Sequence, residues 1–368
     1  MNGEVAMLRR RNLLKLAMAV GLISPARGSA AADWIAPAEE ALHAATWMSW
    51  PHDVSIYGDQ SSLEATQEHL GRLARAISKF EPVYMAAHPA DFASVTELCG
   101  ERVLPVAIPT NDMWMRDSGP VFVTNRRGAL AAVDFNFNGW GGKQSPRDED
   151  GKVAARVADH LQISHISTPL VGEGGGIEFD GDGTLLLTDS CWLNDNRNPG
   201  LSKEEMTAEL KRLLGVQKVI WLPGVAGRDI TDGHIDGALR IVRPGLLMTS
   251  GYPGDDSIWG EALNESRKIL ASERDARGRS FTVVDIPSAL APRNTSEELF
   301  TSYANYYVAN GAVFTPKFLD VRADAIATER LSKLFPDRKI ISLEVDHIYE
   351  SGGGIHCVTQ QQPAPRIT

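Results

Sequence analysis

Four short polar runs in this 368-residue chain carry side chains that could act together on a resistant, cationic carbon. They are Asn111-Asp112-Met113-Trp114-Met115-Arg116-Asp117, Glu173-Gly174-Gly175-Gly176, Asp232-Gly233-His234-Ile235-Asp236 and Gly352-Gly353-Gly354-Ile355-His356-Cys357. A guanidinium is planar, cationic and resonance-stabilised, so its carbon yields only to a strong nucleophile. Paired carboxylates can hold its N–H groups bidentately and fix its plane. A cysteine thiolate can attack near neutral pH, provided its surroundings favour the ionised form. A histidine can give a proton to departing ammonia and then activate water. A carboxylate beside that histidine would hold its charge and orientation. The four runs offer a candidate for each part.

Each residue also has a plainer reading. Cys357 could be a buried structural cysteine, although the three glycines before it would let backbone approach closely. His234-Ile235-Asp236 alternates like a strand, which would put both polar side chains on one face; the same spacing suits a metal site. Glu173–Gly176 could be a simple turn. Asp112 and Asp117 could be loop carboxylates with Arg116 as a local ion-pair partner. Trp114 could be core, or an aromatic wall facing a cation. Cys191, in a turn-rich run ending at Pro199, reads as structural, and Cys99, before Gly100, as inert.

The elements that must position these residues repeat. In 119–169, strands at Pro120–Val123 and Leu130–Phe137 flank a turn at Arg126-Arg127-Gly128. A helix over Val153–His160 and a strand near Ile163–Ile166 follow. Segment 174–223 has the same order, with strands Ile177–Phe179 and Thr184–Thr188 around a Gly-Asp-Gly turn. Its helix opens at Ser202 with Glu205 three residues on, a capping box, and strand Lys218–Leu222 closes the unit. Segments 236–287 and 303–345 repeat the pattern. A looser unit, 46–108, contains a helix over Ser62–Phe80 with Leu63, Leu70, Leu73, Ile77 and Phe80 on one face. Strand, turn, strand, helix, strand at this period suggests a radial array. The polar runs fall at the junctions between units, which such an array brings to its axis, so Asp117, Glu173, His234, Asp236 and Cys357 would share one pocket.

Composition sets outer bounds. With 43% hydrophobic and 23% charged residues the chain is an ordinary globular protein. A net charge of −10 and a pI near 5.4 argue against nucleic acid and suit a cationic small molecule. Arg9-Arg10-Arg11, the short apolar run Leu16–Ile23 and small residues up to Ala32 read as an export signal of the twin-arginine type over 1–32. The apolar run is too short to span a bilayer, so no membrane association is expected once it is removed, and the exported protein would be periplasmic. Three cysteines allow at most one disulfide, and none is expected.

Taken together, the runs resemble the agmatine deiminase family, whose fold bacterial peptidylarginine deiminases share. The resemblance spans Pro37-Ala38-Glu39, Thr46–His52, Asn111–Pro120, Glu173–Thr184, Asn194–Pro199, Thr231–Asp236 and Gly352–Pro363. It implies an α/β pentein fold, a fivefold pseudosymmetric propeller of ββαβ-type units, over a single catalytic domain, 33–368. It implies Cys357 as a nucleophile forming a thiouronium intermediate, His234 as general acid/base and Glu173 as its carboxylate partner. Asp117 and Asp236 would grip the guanidinium, with Trp114 at the pocket wall. It implies no metal and no organic cofactor. The stretch Lys143–Asp150 is shorter than its family counterpart, which bears on the substrate's tail. The expected reaction is hydrolysis of agmatine to N-carbamoylputrescine and ammonia, with arginine in peptides as the alternative substrate. A metal-dependent hydrolase using Asp112, Asp117, Glu173, His234 and Asp236, and a polyamine-binding protein without turnover, are the rivals. A homo-oligomer is compatible with the sequence but not specified by it.

Overall fold

The computed structural model describes residues 34–251, 256–296 and 299–365. The expected export signal, 1–32, lies outside them. Residues from Asp33 onward form one compact unit. Its first segment holds strands β1 (His43–Ser49), β2 (Val83–Ala87) and β3 (Val103–Ala107), with helix α1 (Gln60–Ile77) between β1 and β2 and α2 (Phe92–Cys99) between β2 and β3.

Three further units follow the expected order closely. The second is β4 (Val121–Thr124), β5 (Leu130–Asp134), α3 (Val153–Leu161) and β6 (Ser164–Ser167). The third is β7 (Ile177–Phe179), β8 (Thr184–Thr188), α4 (Lys203–Leu214) and β9 (Lys218–Leu222). The fourth is β10 (Leu239–Arg243), β11 (Leu246–Ser250), α5 (Ile258–Ser272) and β12 (Thr282–Ile286). A fifth unit holds β13 (Tyr307–Ala309), β14 (Ala312–Pro316), α6 (Val321–Leu334) and β15 (Lys339–Leu343), and β16 (Gln360–Pro363) is the last strand. In units two to five the first two strands pair antiparallel and the third joins parallel to the second. The helix supplies the long crossover that a parallel neighbour requires.

The looser first unit has a physical explanation. Its antiparallel outer strand is β16, from the other end of the chain, with Thr46 opposite Gln361 and Trp47 opposite Gln360. The sheet order is β16-β1-β2-β3, so the two ends of the described chain meet in one sheet. Glutamines of this last strand add side-chain ties. Gln361 accepts from Arg116 at 2.8 Å, and Gln362 accepts from the Trp47 indole at 2.9 Å.

Local chemistry sets the element ends. Helix α1 starts two residues before the expected Ser62, because the Asp59 carboxylate accepts from the Ser62 N–H at 2.8 Å and caps it. It buries Leu63, Leu70, Leu73 and Ile77, while Phe80 lies in the following turn. The capping box of Ser202 and Glu205 opens α4 as expected, and Gly215 at φ 67° closes it in the left-handed region. In the β7–β8 turn, Gly181 and Gly183 take positive φ, and the Asp180 carboxylate accepts from two backbone N–H groups at 2.8 Å. Apolar residues of the strands and helices fill the space between sheet and helix in each unit. No helix among the described residues is long and apolar enough to cross a membrane.

Candidate active site

The site residues sit two to five positions ahead of a strand that opens an antiparallel pair. Asp117 lies in the one-turn helix Met115–Ser118 before β4, and Glu173 with Gly174–Gly176 leads into β7. His234 and Asp236 precede β10, and Cys357 precedes β16. The remaining junction, before β13, supplies Asn305. Sequence reasoning missed Asn305, although the repeat it identified pointed to that position.

The junctions converge on Gly175. A Cβ built there would lie 2.6 Å from His234 Nδ1, 2.8 Å from Asp117 Oδ1 and 3.2 Å from Asp236 Oδ2. Only hydrogen in place of a side chain lets these three groups come together. The Gly175 N–H also donates to Asp117 Oδ1 at 3.0 Å, and the Trp140 indole donates to Asp117 Oδ2 at 2.9 Å. Two further glycines make room around the nucleophile. A Cβ on Gly353 would strike the Trp114 ring at 2.3 Å, and one on Gly354 would strike Asn305 Oδ1 at 2.5 Å.

His234 Nε2 lies 3.2 Å from Glu173 Oε2, and its Nδ1 lies 3.7 Å from Asp117 Oδ2. Burial alone would lower the imidazole's pKa. Asp117, then Glu173, then Asp236 outweigh it and raise the value to about 9, so the ring carries a proton at neutral pH. Glu173 is itself fixed by Arg197, whose Nε lies 2.8 and 3.0 Å from its two oxygens. Arg197 also donates to Asp232 at 2.8 Å, and Lys143 reaches Asp232 at 2.7 Å. The run Asn194–Pro199 thus braces the histidine's partner.

Cys357 Sγ accepts from Asn305 Nδ2 at 3.2 Å and lies 3.6 Å from Asp236 Oδ2. Burial pushes its thiol well above the ordinary value, and the charges of Asp236 and Asp117 add to the rise. Asp236 would also be raised by burial, but His356, His234 and Arg240 hold it below the usual carboxylate range. The free site therefore combines a protonated imidazole, an un-ionised thiol and a carboxylate, a set that lacks one cation.

A cleft of about 940 Å³ opens onto Trp114, Asp117, Trp140 and Cys357. Glu173, His234 and Asp236 are buried. The cleft wall also carries Glu350, Tyr57 and Asp112, and the Tyr57 hydroxyl donates to the Asp112 carboxylate. Burial raises Asp112 to about 6, and burial together with Asp112 raises neighbouring Asp150 to about 8. Asp150 accepts from the Asn111 and Asp112 N–H groups, tying the short stretch Lys143–Asp150 to the cleft wall.

Several expectations need correcting. His234-Ile235-Asp236 is not a strand, because Ile235–Gly237 forms one helical turn that turns the chain into β10. Arg116 pairs with neither Asp112 nor Asp117. Its guanidinium reaches Gln361, the His356 carbonyl and Glu39, because the helical turn points it toward the strand that closes the first sheet. Glu173–Gly176 is indeed a tight turn, and its glutamate still reaches the histidine. All three cysteines are free. Cys191 is buried beside Thr188 with its thiol pushed up to about 12, and burial does the same to Cys99. Among the described residues, the one group of three potential metal ligands with donor atoms within 4.8 Å of one another is His52, His88 and Asp91. His52 and Asp91 border a separate cleft. The set named for a metal-dependent hydrolase is engaged otherwise, with Glu173 on Arg197 and Asp112 on Tyr57.

The chain is similar to several known proteins. A family model described as Porphyromonas-type peptidyl-arginine deiminase covers residues 35–363. A protein from Streptomyces coelicolor is 41% identical over 333 residues, spanning 89% of this chain and 98% of its own. The agmatine deiminase of Medicago truncatula is 38% identical over 360 residues, spanning 89% of this chain and 96% of its own. The solved structure of the Enterococcus faecalis agmatine deiminase superposes with a TM-score of 0.84 at 29% identity, covering 91% of this chain and 97% of that one. The five small sheets are accordingly those of the pentein fold.

Proposed function

The chain belongs to the Porphyromonas-type peptidyl-arginine deiminase family, and from that premise we propose that it hydrolyses agmatine to N-carbamoylputrescine and ammonia. Cys357 is the nucleophile, His234 the proton-transfer group and Glu173 its carboxylate partner. Asp117 and Asp236 hold the guanidinium, and Trp114 flanks it. The meeting of His234, Asp117 and Asp236 within 3.2 Å of one point above Gly175 carries this reading.

The electrostatics support a substrate-completed nucleophile. Two carboxylates oppose ionisation of Cys357 in the free site. A guanidinium seated between them supplies the missing cation and offsets that repulsion, so the thiol gives up its proton to solvent when the substrate is in place. The thiolate attacks the guanidinium carbon, and its electron pair forms the C–S bond. His234 gives its proton to the departing nitrogen, which leaves as ammonia with the C–N electron pair. Water then attacks the thiouronium carbon and gives a proton to His234 as it does so. The C–S bond then breaks as the proton left on the attacking oxygen passes to the departing sulfur, which restores the thiol and leaves the neutral ureido product. Glu173 stabilises the imidazolium before the first proton transfer and after the second, and Arg197 keeps Glu173 turned toward it. The scheme draws on water alone.

Agmatine is favoured over larger substrates by the Medicago and Enterococcus relatives, which carry the agmatine deiminase name. The acids Asp112 and Glu350 on the cleft wall suit a terminal ammonium. Arginine within a peptide is the second reading, and the family's own description favours it. The deciding assay is ammonia release from agmatine, free arginine and an arginine-containing peptide by the wild type and Cys357→Ala. Release from agmatine that the substitution abolishes is expected. Turnover of the peptide alone would transfer the mechanism to protein arginine, and no Cys357-dependent release would reject it.

The twin-arginine pattern supports residues 1–32 as an export signal and a periplasmic location. The compact unit starting at Asp33 supports 33–368 as one catalytic domain. The N-terminus of the mature protein, read by mass spectrometry, should fall just after Ala30–Ala32. An intact Met1 on the active protein would refute export.

A further inference from the structure

His356 and Glu39 belong to runs that the reaction scheme leaves without a role. The structure joins them behind the nucleophile. His356 Nδ1 lies 2.7 Å from Asp236 Oδ2, and its Nε2 lies 2.8 Å from Glu39 Oε2. The ring thus bridges the two carboxylates, one at each nitrogen. Glu39 Oε2 also takes a bond from Arg240 at 2.6 Å, and Arg240 in turn reaches Glu178. Burial would raise Glu39, but Arg240 and His356, followed by Arg116, hold it well below the ordinary range. The ends of this relay come from opposite ends of the chain, since Glu39 precedes β1 and His356 precedes β16.

Asp236 has two jobs that compete. The oxygen that His356 holds, Oδ2, is the one facing Cys357 Sγ at 3.6 Å. An unrestrained carboxylate there would rotate freely and would repel the forming thiolate at full strength. A donor fixed on Oδ2 sets the rotamer and offsets part of that repulsion. Resting on the deiminase reading, we propose that His356, braced by Glu39, is a positioning residue that orients the Asp236 carboxylate between the guanidinium and the Cys357 sulfur.

The imidazole's two bonds can be separated by substitution. His356→Asn keeps a donor near the Nδ1 position and loses the link to Glu39. His356→Gln keeps a donor near Nε2 and loses the one on Asp236. Hydrogen bonds to charged groups are strong enough that kcat/KM for agmatine should fall about 100-fold in His356→Gln. In His356→Asn it should stay within about tenfold of the wild type. A purely structural histidine would make the two variants alike. Alkylation of Cys357 by iodoacetamide reads the sulfur without any substrate, and it should be severalfold slower in His356→Gln than in His356→Asn. Equal impairment of both variants in both assays would overturn the proposal, and so would wild-type behaviour of His356→Gln. If the wild type releases no ammonia from agmatine, free arginine or the peptide, the deiminase reading fails, and the alkylation ranking alone then decides. If neither His356 variant folds, Glu39→Gln decides. A drop of about tenfold in kcat/KM at unchanged Tm sustains the proposal, and unchanged turnover overturns it.

Discussion

Replacing Glu173 by Gln removes a charge 3.2 Å from His234 Nε2 while keeping the side chain's shape. In the wild type His234 is raised from 6.5 to about 9. At about 1.4 kcal/mol per unit this corresponds to about 3 kcal/mol of preference for the protonated ring. Asp117, Glu173 and Asp236 share that preference against the opposing effect of burial. Losing one of three carboxylates should therefore lower the value by about one unit. Because His234 must be protonated to release ammonia, kcat/KM should fall on the alkaline side near pH 9 in the wild type and about one unit lower in the variant. The same group links stability to pH. Its folded value lies above its unfolded one, so its stabilisation is complete below about pH 6.5 and is lost as pH rises through about 9. Urea unfolding at pH 6 and pH 10 should show a smaller difference in the variant than in the wild type. Arg197 loses one carboxylate partner and keeps Asp232, so Tm should fall at every pH without the limb moving. Ammonia release measured across pH 6 to 10 checks the limb. An alkaline limb unmoved or shifted upward in Glu173→Gln would refute the assignment of His234's proton to these carboxylates.

Other substitutions probe other parts of the geometry. Gly175→Ala puts a methyl 2.6 Å from His234 Nδ1, and steady-state kinetics should show about a 100-fold loss in kcat/KM through misplacement of the site. Asn305→Ala removes the donor 3.2 Å from Cys357 Sγ. Both ammonia release and iodoacetamide alkylation should slow by about tenfold, and the unfolding midpoint should fall as well, because the buried His356 N–H loses its acceptor Asn305 Oδ1. Truncation after Thr359 deletes β16 and with it the partner of β1 and the acceptor of Arg116. Circular dichroism should show no cooperative unfolding transition for that product; a wild-type Tm would mean that the chain's end does not close the fold.

How much was legible in the sequence follows from how local each determinant is. Strands β7, β8 and β9 and the capping box of α4 were read correctly because alternation, turn glycines and Ser202 with Glu205 act within a few residues. The start of α1 was missed by two residues because its cap, Asp59, lies before the apolar stripe that announced the helix. The looseness of the first unit had no local sign, since its missing strand lies more than 300 residues downstream. The same holds within the site. Cys357, His234, Glu173 and Asp236 were marked by runs containing glycine, because close backbone approach excludes side chains around them, and Asp117 by its acid-and-aromatic run. Asn305 was missed because no glycine run surrounds it, and Arg116 was misassigned because charge proximity in sequence does not fix direction in space.

The sequence by itself therefore determined the repeating unit, the residue types available for guanidinium chemistry and the junctions that carry them, since all of these rest on short-range pattern. Only the tertiary structure decided who meets whom. It turned the His234 segment through a helical turn, set Arg197 on Glu173, brought Asn305 to Cys357 and linked Glu39 to His356 across the closed first sheet. These pairings depend on the return of distant junctions to a common place, a condition that pattern along the chain cannot encode residue by residue.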